Sequence, residues 1–233
     1  MTVKESISIV IPAYNESLTV EVVAKEALGQ VRKLTADYEI VLVDDGSTDG
    51  TSQIIDKLAR ENRRIRTVHH KKNKGFTGAM RTAFKSAEKQ LIFLAPADGQ
   101  FDFSQLGKFT KALPEYDAVV GYRVRNEEGF ARKLNSRMFH FLCRYLLNIK
   151  LREISSVSLW RREVVQKITV KSEDRSAMFL PEIISKALKK NYKFAEVPIR
   201  WYERKGGQPK GGSPMMILKT LKQMFKLWVK VRA

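Results

Sequence analysis

The sequence is nearly without cysteine: Cys143 is the only one in 233 residues. That excludes an intramolecular disulfide and any cysteine-based zinc cluster. Histidine is almost as scarce, and His69, His70 and His140 lack the spacing of a catalytic zinc motif. No apolar run approaches the roughly 18 residues that a membrane-spanning helix needs. The opening apolar stretch is short and is broken by Pro12 and Asn15, so no signal peptide is expected. Acid is in deficit, with 25 Asp and Glu against 43 Lys and Arg and a formal charge of +18. What is present is a globular composition. Apolar residues make up 43%, with only 13 glycines and 7 prolines, too apolar for a disordered chain and too poor in breakers for a fibrous one. The length suits one domain with a short appendage and a full core. A reducing, cytosolic setting fits the cysteine usage. The excess charge points to contact with phosphate, nucleic acid or anionic lipid.

Short apolar runs alternate with helical periodicity through the first half. Strands are expected at Ser8 to Pro12, stopped by the proline, and at Glu39–Val43, Thr67–His69, Leu91–Ala95 and Asp117–Gly121. Between them, helices are expected over 17–34, with Ser17 as N-cap, and over Thr51–Glu61, Thr77–Lys89 and Leu106–Leu113. This alternation predicts an α/β fold with a mainly parallel sheet flanked by helices. The strands are apolar throughout, so both faces of the sheet are covered. Polar turns at 12–16, 44–49 and 96–102 then fall at the carboxyl ends of strands, where such sheets bind ligands. Beyond residue 121 the pattern predicts helices over 130–149 and 178–190, and strands at 155–160 and Phe194–Ile199. A flexible, basic, Gly-rich loop over 204–214 leads to a basic amphipathic helix over 215–231, with Ser213 as cap.

Four stretches carry possible chemistry. Asp44-Asp45-Gly46-Ser47 follows a buried strand; its carboxylates can accept from a base N–H or ribose hydroxyls, or cap the next helix. Asp98-Gly99-Gln100-Phe101-Asp102 can hold Mg²⁺ or Mn²⁺ on a diphosphate, or act as a capping turn. Lys71 to Gly78 precedes a helix N-terminus and suits an anion, or is a solvated lysine run; it lacks Walker A spacing. On the last helix, Lys219, Lys222, Lys226 and Lys230 form one stripe, while Leu218, Leu221, Met224, Phe225 and Trp228 lie elsewhere on the wheel. Such a helix fits an anionic membrane surface, or docks on the domain with its lysines in water.

Taken together, these residues resemble family 2 glycosyltransferases of the GT-A fold, polyprenyl-phosphate glycosyltransferases such as dolichyl-phosphate mannosyltransferases in particular. The resemblance rests on Ser8 to Glu16, Glu39 to Ser47, Asn73-Lys74-Gly75 with Gly78 and Arg81, Asp98 to Asp102, Gly121-Tyr122-Arg123, and Glu196 to Ile199. It implies a catalytic domain over 1–203, with a nucleotide-sugar half at 1–121 and an acceptor half at 122–203. The loop 204–214 and a membrane-surface helix at 215–233 would follow. The donor would be a GDP- or UDP-sugar. By the same resemblance, Pro12, Tyr14, Glu16, Asp45 and Lys74 would line the donor site. Asp98 and Gln100 would hold the metal and the donor phosphates. Arg123 would sit near the sugar or a phosphate, and Arg204 and Lys205 would close over the substrates and exclude water.

Two positions depart from the family pattern. Pro96 replaces the first Asp of the metal motif, which leaves Asp98 to act with Gln100 and water. The stretch Glu153 to Leu159 lacks the Gly and the final basic residue of the usual acceptor segment. No general base is evident near Ser155 and Ser156. A lipid phosphate is already ionised and needs none, whereas a hydroxyl acceptor usually does. Its charge would need cations, for which Arg132, Arg137, Arg204 and Lys205 are candidates. The expectation is an inverting transfer to a polyprenyl phosphate, on the cytoplasmic face of a membrane to which the protein is peripherally bound. The alternatives are transfer to a sugar hydroxyl, or a non-catalytic nucleotide-sugar-binding relative. Nucleic acid is not an expected partner, because no helix-turn-helix, RNP or zinc-finger pattern is present and the basic residues concentrate near the C-terminus.

Overall fold

A computed structural model describes residues 2–124, 130–154, 157–204 and 214–232, without the side chains of 130–135, 214–217 and 230–232. In chain order the elements are β1 (Ile7–Ala13), α1 (Val20–Val31), β2 (Tyr38–Asp44), α2 (Thr51–Glu61), β3 (Ile65–His69), α3 (Phe76–Ser86), β4 (Leu91–Leu94), α4 (Leu106–Ala112) and β5 (Ala118–Arg123). They continue with α5 (Phe130–Leu147), β6 (Ser158–Arg161), α6 (Arg162–Gln166), α7 (Phe179–Lys189), β7 (Phe194–Ile199) and α8 (Pro214–Arg232). The seven strands form one sheet in the order β3-β2-β1-β4-β6-β5-β7. All neighbours are parallel except β6, which runs antiparallel to both β4 and β5. The expected mainly parallel α/β sheet is therefore present.

The strands separate two core layers, as their unbroken apolar runs require. Ile7, Ile9 and Ile11 of β1 face α1, α2 and α4, in a layer that holds Phe93, Phe101, Phe103 and Phe109. Those rings meet at centroid distances of 5.1–6.3 Å, within the range of favourable aromatic contact. Val10 faces the other way, into a layer built from Phe84, Trp160 and Phe179 with α3, α5, α7 and α8. Trp160 is fully buried and its indole N–H donates to Ser158 Oγ at 2.8 Å. Truncating so large a satisfied side chain to alanine costs about 3–5 kcal/mol.

Several boundaries differ from expectation. β1 runs through Pro12 to Ala13, paired with β2 along its whole length, while its pairing with β4 ends at Val10. The donor that Pro12 lacks thus faces no strand. Helix α1 starts after Thr19, not Ser17, and the Thr19 hydroxyl bonds the Ala97 carbonyl of the turn after β4 at 2.7 Å. Helix α3 stops at Ser86; the next backbone donors, Glu88 N and Lys89 N, go to Glu39 and to Ser8 Oγ instead. The strand expected at 155–160 is Ser158–Arg161, and Ser155, Ser156 and Ser213 lie outside the described residues. Helix α8 packs on the core through Met224 and Leu227, while Leu218, Leu221 and Phe225 are exposed. Among the described residues, no helix is long and apolar enough to cross a membrane.

Candidate active site

The turns after β1, β2 and β4 meet at one end of the sheet and are tied together by side chains. Asn15, at a positive φ of 51°, donates its N–H to Ser47 Oγ at 2.9 Å and accepts from Thr48 N at 2.8 Å. The Glu16 N–H donates to Thr51 Oγ1 at 2.9 Å. Thr19 Oγ1 donates to the Ala97 carbonyl at 2.7 Å. Partial burial alone would raise the Asp49 carboxyl, but hydrogen bonds from Thr51 and Ser17 outweigh it and hold the group at about 2. Burial likewise raises Asp44, and donors on Ser47, Ser52 and His69 more than reverse it, so its pKa is lowered.

Asp45 is the anchor of the next loop. Its carboxylate accepts from His70 Nδ1 at 2.7 Å, Asn73 Nδ2 at 3.0 Å, and the N–H groups of Lys74 and Gly75, each at 2.9 Å. His70 is held in turn by Thr82 Oγ1 at 2.8 Å. Four donors from residues 70–75 thus fold the lysine run around one buried carboxylate. Lys74 contributes its backbone here and is itself exposed. The turn before this loop has room only for glycine at Gly46: φ is +72°, and an added Cβ would stand 2.7 Å from Asn73 N.

Asp98 and Gln100 line a cavity of about 270 Å³ together with Phe76, Arg123, Glu153 and Trp201. Asp98 Oδ1 accepts the Gln100 N–H at 3.1 Å. The Gln100 amide N–H donates to the Tyr202 carbonyl at 3.0 Å, which leaves the amide oxygen as the acceptor end. Glu153 clamps Arg123, accepting its backbone N–H at 2.7 Å and its Nε at 2.5 Å. The guanidinium also lies 5.6 Å from the Trp201 ring centroid. The Trp201 indole N–H finds no hydrogen-bond partner among the described residues.

A second hollow, of about 530 Å³, adjoins this one through Arg123 and Glu153 and is lined by Arg137, His140, Phe141, Arg144 and Arg152. His140 is fully engaged: Nδ1 meets the Ser136 carbonyl at 2.7 Å, and Nε2 accepts from Ile154 N at 3.0 Å. Glu153 is committed to Arg123. Among the described residues, no uncommitted histidine lines this second hollow.

Of the site residues expected from sequence, Asp98, Gln100 and Arg123 share the first cavity, and Arg137 stands in the adjoining one. Pro12 and Tyr14 are half-buried beside the β1 turn, where Glu16 pairs with Arg204. Lys205 and the side chain of Arg132 lie outside the described residues. Sequence reasoning did not find Arg144, Arg152, Trp201, the His70 support of Asp45, or the Glu153 clamp. Only Glu153 carried a signal, its place in the degenerate acceptor segment.

Residues 8–169 match the family model described as "Glycosyl transferase family 2". Over 95% of its length the chain is 27% identical to glycosyltransferase AglD of Haloferax volcanii, of which it spans only 37%. It is also 27% identical to dodecaprenyl-phosphate galacturonate synthase of Rhizobium johnstonii, covering 97% of this chain and 68% of that protein. Among solved structures, glucosyl-3-phosphoglycerate synthase of Mycobacterium tuberculosis, in complex with Mn²⁺, UDP-glucose and phosphoglyceric acid, superposes with a TM-score of 0.71. That match covers 97% of this chain and 80% of that one at 17% identity, a likeness of fold.

Proposed function

The chain belongs to glycosyl transferase family 2 and has the GT-A fold, and from that premise we propose that it transfers a sugar from a nucleoside-diphosphate donor to a polyprenyl phosphate. The observation that carries the acceptor assignment is the basic hollow of Arg137, Arg144 and Arg152 beside the Asp98 cavity. Among the described residues it offers several cations for a phosphate, while its histidine, His140, has both ring nitrogens engaged.

In this reading the β1 and β2 turns hold the nucleoside through Pro12, Tyr14, Glu16 and Asp45, with Lys74 at the rim. The half 1–121 serves the donor and 122–203 the acceptor. Asp98 and the Gln100 amide oxygen offer hard oxygen ligands and leave room for water and phosphate oxygens, the donor set that Mg²⁺ or Mn²⁺ prefers on a diphosphate. A metal bound there would neutralise charge on the departing nucleoside diphosphate. Arg123, held rigid by Glu153 and Trp201, faces the same charge. Arg137, with Arg132 and Lys205, fixes the acceptor phosphate in line with the anomeric carbon. A phosphate oxygen forms the new bond to that carbon. The bond to the diphosphate breaks with its electron pair leaving on the nucleotide. No proton moves, and configuration inverts. Arg204 stands at the edge of the donor turn, where a closing segment would exclude water. The acceptor places the reaction at a membrane surface, on its cytoplasmic face, with the protein peripherally bound.

A thermal-shift panel of UDP- and GDP-sugars with and without Mn²⁺ tests the donor half. Binding only to the native state stabilises it by about 2.7 kcal/mol at a hundredfold excess over Kd. A Mn²⁺-dependent shift with one nucleotide is expected, and no shift with any donor would contradict the reading. Pro96 motivates a second reading, donor binding without turnover; robust multiple turnover excludes it.

A further inference from the structure

Ala177 lines the Asp98 cavity, and its backbone is held from the C-terminal helix. Its N–H donates to Thr220 Oγ1 of α8 at 3.1 Å. Thr220 is buried, with 6% exposure. Ala177 precedes the start of α7 at Phe179, so its N–H lies outside the hydrogen bonding of that helix, and a buried donor needs an acceptor from elsewhere.

This bond closes one side of a strap. Residues 172–177 run between α8 and the start of α3. On the α3 side, Thr77 Oγ1 donates to the Ser176 carbonyl at 2.7 Å and accepts the Phe179 N–H at 3.2 Å. The Gly78 N–H donates to the Asp174 carbonyl at 3.2 Å, and Arg81 pairs with Asp174 and donates to the Ser172 carbonyl at 2.6 Å. The approach is close: a Cβ on Gly75, at a φ of +84°, would stand 3.0 Å from Arg175 Cα. Phe76, between Gly75 and Thr77, lines the same cavity as Ala177. At its far end the strap is anchored by buried Glu182, which accepts the N–H groups of Lys171 and Ser172 at 2.9 and 2.8 Å. A second tie to α8, Lys226 to Glu173 at 3.6 Å, has both side chains more than half exposed and is worth little.

We propose that Thr220 of α8 is a positioning residue for the transfer. Its hydroxyl fixes Ala177, and through Ser176 and Thr77 it steadies Phe76, so two walls of the Asp98 cavity keep their place only while α8 is seated. This rests on the proposed donor, whose sugar would enter the cavity beside Asp98 and Gln100. A displaced wall misplaces the anomeric carbon, and a shift of about 1 Å can cost two orders of magnitude in rate. Nucleoside binding is spared, because the β1 and β2 turns proposed to hold it are tied to each other. Helix α8 then belongs to the catalytic unit rather than standing beside it as an appendage.

The test compares two variants of the full chain with Mn²⁺ present. Thr220→Val keeps the side chain's shape and removes the acceptor; Thr220→Ser keeps the acceptor. In Thr220→Val the Ala177 amide is expected to exchange its hydrogen about tenfold faster, and kcat to fall about tenfold. The thermal shift given by the nucleoside diphosphate alone should not move, while that given by the sugar nucleotide should shrink. Thr220→Ser should restore each of these. A folded Thr220→Val with the kcat and the sugar-nucleotide shift of wild type, whatever its Tm, would overturn the proposal, as would a Thr220→Ser that behaves like the valine variant. If Thr220→Val does not fold, wild-type protein carries the test. The sugar nucleotide should slow amide exchange at Ala177 and around Thr220 more than the nucleoside diphosphate does, and equal protection by the two would overturn the proposal. Wild-type protein that binds no sugar nucleotide would strike the functional reading itself, and the role of Thr220 with it.

Discussion

Arg204 sets its guanidinium on the carboxylate of Glu16, joining the segment after β7 to the turn after β1 across 188 residues of sequence. The pair is mostly buried, with side-chain exposures of 17% and 10%. It links two residues that the family resemblance assigns to different jobs, one lining the donor pocket and one closing over it. Removing either partner breaks an ion pair in a poorly hydrated place. Glu16→Gln and Arg204→Ala are each expected to lower stability by about 1–3 kcal/mol, and the double variant by less than the sum of the two. Urea unfolding of the three variants measures the coupling, and strictly additive losses would show that the pair is incidental.

Asp98 lines the first cavity beside Gln100 and Arg123, and in the proposed reading it would hold the metal on the donor diphosphate. Asp98→Asn keeps the side chain's shape and its acceptor oxygen for the Gln100 N–H. It is expected to lower kcat by about two to three orders of magnitude with little change in Tm. A variant with near-normal turnover would remove Asp98 from the chemistry.

The cations of the second hollow are expected to act on the acceptor alone. Arg137→Ala and Arg152→Ala should each raise KM for polyprenyl phosphate about tenfold, the worth of one charge-assisted hydrogen bond. The donor-induced thermal shift should not move. Equal losses in donor and acceptor binding would mean that these residues support the fold rather than the acceptor phosphate.

Acid stability should carry the signature of Asp49. Its folded value of about 2 lies below the ordinary 3.8, so its contribution is present above pH 3.8 and is lost as pH falls toward 2. His69 runs the other way. Burial alone would lower it, but Asp56 and Asp44 more than offset that and raise it above 6.5; its contribution is present below pH 6.5 and fades as pH rises through the raised value. Asp49→Asn is therefore expected to lower Tm at pH 7 and to differ little from wild type near pH 2. His69→Gln should cost more at pH 5 than at pH 9. Thermal melts across pH check both.

The fold was legible where local pattern and tertiary need agree. Thr51–Glu61 and Phe194–Ile199 fall at the boundaries that periodicity implies, because an apolar run or a helical stripe is decided within a few residues. It failed where a distant group decided the matter. Ser17 reads as an N-cap, but the helix opens after Thr19, whose hydroxyl is tied to the distant Ala97 carbonyl. The helix expected to reach Lys89 ends at Ser86 because Glu39 and Ser8 offer acceptors from neighbouring strands. Nothing local announces that β6 inserts antiparallel between β4 and β5. That the turns after β1, β2 and β4 meet at one end of the sheet followed from the strand–helix alternation, since parallel strands put their carboxyl ends together. The wiring of the site did not: Asp45 meets its donors 25 to 30 residues away, Arg123 is clamped from residue 153, and such partners leave no periodic trace.

The lipid product is the most direct test of the proposed transfer. Purified protein, Mn²⁺, the sugar nucleotide that gives the largest thermal shift and a polyprenyl phosphate in anionic vesicles would be incubated together and the lipid fraction read by mass spectrometry. A polyprenyl phosphate heavier by one sugar is expected, with anomeric configuration inverted relative to the donor, accumulating over many turnovers and formed about two to three orders of magnitude more slowly with Asp98→Asn. Glycosylation of a free sugar hydroxyl with the lipid phosphate untouched would contradict the proposed transfer.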